Sequence, residues 1–220
     1  AYGIPVQSHL SESKGEIDFV KILRPTNPFY GDSYNEYDLF GKNDDIDTDV
    51  KTVMAHCVWS TDEEVELMRK NGVFVAHCPA SNMNLSSGIA PIRKYLDMGI
   101  CVGLGSDIAG GQTESIFRAM TDAIQVSKMY WRIVDKSAKP LTFAEAFYMA
   151  TAGGGQFFGS VGKFEVGYEF ALKNKNSIAL GLHASCAAYS MYQNSATGKI
   201  ISLIAPNENS AAIVSVQSMT

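Results

Sequence analysis

A chain of 220 residues, 46% hydrophobic and 19% charged, has the composition of a folded globular protein and not of a disordered or fibrous one. Its formal charge of -5, with scattered basic residues and no run of five Lys and Arg, argues against nucleic acid as a partner. No N-terminal stretch has the charged, apolar and small-residue order of a signal peptide, and no uncharged run is both Leu-rich and long enough to span a bilayer. No membrane association and a cytoplasmic location are therefore expected.

The first residues, Ile4 to Ser8, are already strand-like, and the chain opens at Ala1 without a leading Met, as a truncated piece would. Three further apolar runs follow: Thr52 to Ala55, Val73 to Ala76 and Cys101 to Gly105. These three are almost continuously hydrophobic, as strands of a parallel sheet covered on both faces should be. Helical patterns lie between the runs. The segment Glu12 to Leu23 sets Ile17, Val20 and Leu23 on one face. Thr61 to Lys70 opens on a Ser60 or Thr61 cap with acidic residues after it, carries Val65 and Met68, and stops at Asn71-Gly72. Ile89 to Met98 has Pro91 in its first turn and ends at Gly99. Ser115 to Val134 and Thr142 to Ala152 complete the helices, with Met129, Tyr130 and Trp131 read as packing residues.

Alternating strands and helices predict an α/β fold with a parallel sheet. The polar stretch between Pro25 and Val50, rich in Asp, Asn and Tyr, is expected to be an exposed loop. Residues 1–170 form one organised unit on this pattern. Residues 171–220 are rich in Ala, Ser and Asn, lack periodicity, and stand apart as a tail of uncertain structure. The four cysteines, Cys57, Cys78, Cys101 and Cys186, have no C-x-x-C spacing and read as reduced, mostly buried thiols.

Each apolar run leads into a side chain with chemistry: His9, His56, His77 and Asp107. In a (β/α)8 barrel the residues at the C-terminal strand ends converge on one site. One such histidine alone would be an ordinary core or turn residue, but four polar endings in four consecutive strands are hard to obtain by chance. Imidazole and carboxylate groups from separate strands suit a catalytic zinc site with a position left for water. A carboxylate must then move the water proton to the leaving group. Glu12, three residues after His9, is the candidate; an acidic residue favoured in a first helical turn is the alternative. Gly103-x-Gly105 lacks a third glycine, Ile108 standing in its place, so no dinucleotide fingerprint is present. Gly110-Gly111 either lets backbone approach the site closely or serves a turn. Ser81 to Gly88 is either a substrate-side loop or a capped strand-to-helix connection.

The segments Ser8-His9-Leu10-Ser11-Glu12, Val53-Met54-Ala55-His56, Ala76-His77-Cys78-Pro79-Ala80-Ser81-Asn82, Leu85-Ser86-Ser87-Gly88 and Gly103 to Gly111 resemble guanine deaminases of the amidohydrolase superfamily. Phe164 to Phe170 resembles the point where that family returns to its small β domain. The resemblance implies a partial (β/α)8 barrel, about strands five to eight with their helices, over residues 1–170. It implies His9, His56 and Asp107 as ligands to one zinc ion, with two further ligands from a His-x-His pair that these 220 residues lack. It implies that Glu12 protonates the purine ring, that Asp107 helps move protons, and that His77 and Glu12 contact a purine substrate. Hydrolysis of guanine to xanthine and ammonia in purine catabolism follows from it, as does a homodimer for the intact enzyme. A related amidohydrolase acting on another aminated heterocycle is the alternative, and so is a non-catalytic fragment that assembles with a homologous subunit. Half a barrel would expose strand edges and an apolar face. It is expected to be poorly soluble alone and, two zinc ligands short, to bind zinc weakly and to be inactive.

Overall fold

The computed structural model describes residues 4–42, 51–159 and 161–163. Four strands, β1 (Val6–Leu10), β2 (Thr52–His56), β3 (Phe74–His77) and β4 (Val102–Leu104), form one all-parallel sheet in the order β1-β2-β3-β4. Sequential order with parallel pairing requires a crossover between each pair of strands. The crossovers carry α1 (Lys14–Leu23), α2 (Asp32–Asn35), α3 (Asp62–Lys70), α4 (Pro79–Asn84) and α5 (Ile92–Asp97), and α6 (Ile116–Ile133) and α7 (Phe143–Tyr148) follow β4. The pairing His9↔Ala55, Ala55↔Ala76 and Ala76↔Gly103 sets the strands level, so their C-terminal ends share one edge.

The helix boundaries follow local chemistry. Thr61 caps α3 by accepting from Glu64 N, Asp62, Glu63 and Glu64 fill its first turn, and Gly72 takes φ +63° just beyond its end. Ser115 caps α6 and Pro91 precedes α5 as the sequence pattern implies. Thr142 and Glu145 form a reciprocal capping box at the start of α7. That helix is shorter than expected: from Met149 to Gly153 the chain widens into a π turn. Gly153 lies against β4, where a Cβ would fall 2.7 Å from the Val102 carbonyl oxygen.

The main core lies between the sheet and the helices. Leu10, Met54, Val75, Val102 and Leu104 from the strands meet Val65, Met68, Tyr95, Met120 and Ala123 from α3, α5 and α6. A smaller cluster, Val53, Ala55, Ala76 and Phe157, covers the other face of β2 and β3. Both faces of the central strands are thus apolar, which explains their unbroken hydrophobic runs.

Three expectations are corrected. The stretch from Pro25 is not simply an exposed loop: Phe40 is 1% exposed, Tyr30 and Tyr34 pack against the core, and α2 forms inside it. Aromatic residues at these positions bury area that the polar composition around them concealed. Helix α1 buries none of its residues; Ile17 and Val20 are half-covered and Leu23 is exposed. Met129 and Trp131 are more than a third exposed and do not serve as core. Cys57, Cys78 and Cys101 form no disulfide among the described residues, whereas Cys186, residues 164–170 and the whole tail lie outside the described residues.

Candidate active site

The strand ends do bring chemistry to one edge. His9 is the fourth residue of β1 and stacks on His56, the last residue of β2, with ring centroids 5.4 Å apart. The sheet alone does not aim His56. Regular alternation would give it the face of Met54, but its φ of +70°, with +48° at Cys57, turns the chain sharply at the strand end. Such a conformation costs a non-glycine residue about 1–3 kcal/mol and persists where surrounding contacts over-determine it. The His56 ring then sits at 1% exposure with Nε2 3.6 Å from Glu12 Oε2 and 4.0 Å from Asp107 Oδ2. Asp107, three residues beyond β4, is itself in a positive-φ turn at +46° and is 3% exposed.

Asn82 fixes the other side of His56: its Oδ1 lies 2.8 Å from Nδ1. With that oxygen as acceptor, Nδ1 carries a proton and Nε2 is the nitrogen that looks toward two carboxylates. Burial and neighbouring His56 push His9 below the ordinary histidine range, against the pull of Glu12, Asp107 and Glu16. The neutral form, the one able to bind a metal, is favoured there.

Imidazole nitrogen and carboxylate oxygen are the right donors for zinc. Among the described residues, however, no three His, Cys, Asp or Glu side chains close around one ion. The donor chemistry fits a metal; a complete ligand set is not present.

Glu12 is anchored at both ends. Its backbone N donates to Glu16 Oε2 at 2.9 Å, and its Oε1 accepts from Ser87 Oγ at 2.9 Å. Ser87 is positioned in turn by Trp59 Nε1, which donates to the Ser87 carbonyl at 2.7 Å. The Leu85-to-Gly88 turn is therefore part of the site. The preceding residues form α4, with Pro79 in its first turn, and so serve as the strand-to-helix connection as well.

His77 ends β3 at 1% exposure, and neither ring nitrogen has a hydrogen-bond partner among the described residues. Burial, with a smaller effect of His56, pushes it down to about 3, so its ring is neutral. In register it shares a face with Val75, and it lines a small cavity with Ala90, Ile92 and Tyr130 from the helical layer. His9, His56, Asp107 and Glu12 are thus drawn together, while His77 lies at the side.

Three participants lay outside the residues singled out by chemistry: Tyr34, Ser87 and the orienting Asn82. Tyr34 OH donates to the His9 carbonyl at 3.1 Å and shares a 2.8 Å hydrogen bond with Ser8 Oγ. Only Asn82 and Ser87 carried a signal, through their place in the HCPASN and LSSG segments; nothing local to Tyr34 announces a role at His9, 25 residues away.

The sequence profile of the amidohydrolase family matches residues 1–194. The chain is 41% identical over 168 residues to a guanine deaminase of Dictyostelium discoideum, covering 75% of this chain and 35% of that protein. It is 35% identical over 170 residues to a 5'-deoxyadenosine deaminase of Methanocaldococcus jannaschii, covering 76% of this chain and 37% of the relative. A crystal structure of guanine deaminase from C. acetobutylicum with bound guanine superposes with a TM-score of 0.70 at 51% identity, covering 76% of this chain and 38% of that one. The chain thus spans little more than a third of the length of these relatives. No helix among the described residues is long and apolar enough to cross a membrane. With a family match over most of its length, and with strand-end imidazoles and carboxylates on one edge of a parallel sheet, the chain belongs to the amidohydrolase family.

Proposed function

We propose that this chain supplies the strand-five-to-eight part of the barrel of a guanine deaminase, which converts guanine and water to xanthine and ammonia. The observation that carries the proposal is the meeting of Glu12, His56 and Asp107 within 4.0 Å on the strand-end edge, in a chain 51% identical to a guanine deaminase structure over the shared region. On the family resemblance, the intact enzyme is a cytoplasmic homodimer.

His9, His56 and Asp107 are the residues that would hold a single zinc ion, with two more ligands from beyond these 220 residues. When bound, zinc would supply a water acidified to near-neutral pKa. The rest of the chemistry belongs to this chain. Asp107, with Oδ2 4.0 Å from His56 Nε2, can take the proton of the attacking water. Glu12, with Oε1 held by Ser87, presents Oε2 as the group that protonates the ring nitrogen next to the carbon under attack. That proton transfer leaves a neutral tetrahedral centre at the amino-bearing carbon. Asp107 passes the water proton to the amino nitrogen, the C–N bond breaks to release ammonia, and the remaining hydroxyl returns its proton to Glu12 as it becomes the new carbonyl of xanthine. Asn82 keeps His56 in one tautomer throughout. On the resemblance alone His77 would contact the purine; its ring lines the cavity against the helical layer, and among the described residues neither nitrogen has a hydrogen-bond partner.

The test is loss of guanine absorbance with xanthine and ammonia formed in equal amounts. It is run on this chain alone and on a chain extended upstream through the remaining barrel strands, each with added zinc. Activity confined to the extended chain supports the proposal. An extended, zinc-loaded protein that leaves guanine intact and deaminates a 5'-deoxyadenosine-like nucleoside would replace it with a neighbouring branch of the family.

A further inference from the structure

Glu64 is a buried carboxylate that the reaction above does not use. It sits in the first turn of α3 at 1% exposure, beside Val65 and Met68 of the core. A carboxylate in such a place is tolerated when each oxygen finds a donor. Both do. Oε2 accepts from Ser11 Oγ at 2.8 Å, and Oε1 accepts from Gly31 N at 2.6 Å.

The two donors come from different segments, and both segments reach the site. Ser11 immediately precedes Glu12 and has φ +47°, a left-handed conformation that a serine holds only under outside constraint. A second constraint comes from the same connection: Trp59 N donates to the Ser11 carbonyl at 2.9 Å. Gly31 opens α2, whose Tyr34 braces the carbonyl of His9. A Cβ at Gly31 would fall 3.2 Å from Glu64 Oε1 and 2.7 Å from the Phe40 ring, so the close approach needs glycine.

We propose that Glu64 is a positioning residue for Glu12. By taking the Ser11 hydroxyl on one oxygen and the Gly31 amide on the other, it holds the left-handed turn that aims Glu12 at the site and locks α2 against β1. The proposal rests on the role of Glu12 given above, and part of its test does not depend on that role.

That part is amide hydrogen exchange on the 220-residue chain. Glu64→Leu removes both acceptors at similar volume. Glu64→Gln keeps an oxygen for Gly31 and offers an amide to the Ser11 hydroxyl, so it should rescue. The expected result is exchange about tenfold faster or more at the Glu12 amide and the first turn of α1 in Glu64→Leu, with Val53 to Ala55 unchanged and Glu64→Gln close to the parent. Should Glu64→Leu fail to fold, Ser11→Ala, which removes one donor and leaves the carboxylate in place, carries the same expectation. Unaltered exchange at Glu12, or equal acceleration across the sheet, overturns the proposal. In the deaminating protein, Glu64→Leu and Ser11→Ala should each lower kcat about tenfold or more with KM within about threefold, as displacement of one catalytic group does. An unchanged kcat there overturns it too. Absence of deamination in the parent sinks the guanine assignment instead, and the exchange result then decides the role of Glu64.

Discussion

Asn82 Oδ1 lies 2.8 Å from His56 Nδ1, and this one hydrogen bond decides which nitrogen of His56 faces Glu12 and Asp107. It spans 26 residues, joining the end of β2 to α4. A ligating imidazole loses orientation and basicity when such a partner is removed. In the intact enzyme Asn82→Leu should weaken zinc binding about 10–100-fold while the fold persists. Competition against a chelator of known affinity measures this directly. Unchanged zinc affinity would mean that His56 is not a ligand, or that its orientation comes from elsewhere.

Glu12 and Asp107 should separate in their effects. Glu12→Gln keeps the hydrogen bond to Ser87 but cannot deliver a proton, so kcat should fall by about 10²–10⁴ with zinc content intact. Asp107→Ala removes a donor oxygen 4.0 Å from His56 Nε2, so both zinc content and kcat should drop. Metal analysis beside steady-state guanine turnover distinguishes them. Loss of zinc in Glu12→Gln would place Glu12 among the ligands.

Much of this arrangement was legible in the sequence because it depends on local chemistry. The parallel strands announced themselves as apolar runs, and the cap read at Thr61 is a local hydrogen bond from the amide three residues on. His9, His56 and Asp107 follow those runs directly. What sequence could not express is contact across elements. Glu64 looks like one of three acidic residues favoured in the first turn of α3, and Asp62 and Glu63 are indeed exposed there, yet Glu64 points inward to Ser11 and Gly31. Tyr34 and Phe40 were hidden in a polar stretch for the same reason. His77 shows the converse: its position after an apolar run is like that of His56, but it lacks the positive-φ turn that swings His56 over the sheet edge.

Glu64 should leave a pH signature in stability. Burial pushes its carboxyl above the ordinary value of 4.5, with hydrogen bonding by Ser60, Gly31 and Ser11 opposing the rise and Glu16 adding to it. The folded chain therefore holds this proton more tightly than the unfolded chain does. The contribution of this group to stability is fully present below pH 4.5 and is lost as pH rises through the folded value. Glu64→Gln cannot titrate. Relative to that variant, the parent should lose stability as pH is raised from 4.5 toward neutrality, measured by denaturant midpoints at constant ionic strength. A parent-minus-variant difference that does not move with pH rejects the raised carboxyl.

Gly110 and Gly111 should fail in different ways, although they are neighbours and neither has a positive φ. Their requirement is for space, not for backbone freedom. A Cβ at Gly110 would fall 2.6 Å from Ser81 Oγ and 2.8 Å from Asp107 Oδ2, both ends of side chains that can turn away. A Cβ at Gly111 would fall 2.1 Å from the Ser106 carbonyl oxygen, which is backbone and can yield only if the loop moves. Gly110→Ala should therefore fold almost as well as the parent while displacing the Asp107 carboxylate, lowering kcat about 10–100-fold. Gly111→Ala should destabilise the whole loop after β4, lowering the melting temperature by several degrees for about 1–3 kcal/mol of overpacking. Thermal melts and guanine turnover on both variants decide the matter. If Gly110→Ala retains full activity, the Asp107 carboxylate need not occupy the position found here, and its part in moving the proton would have to be reassigned.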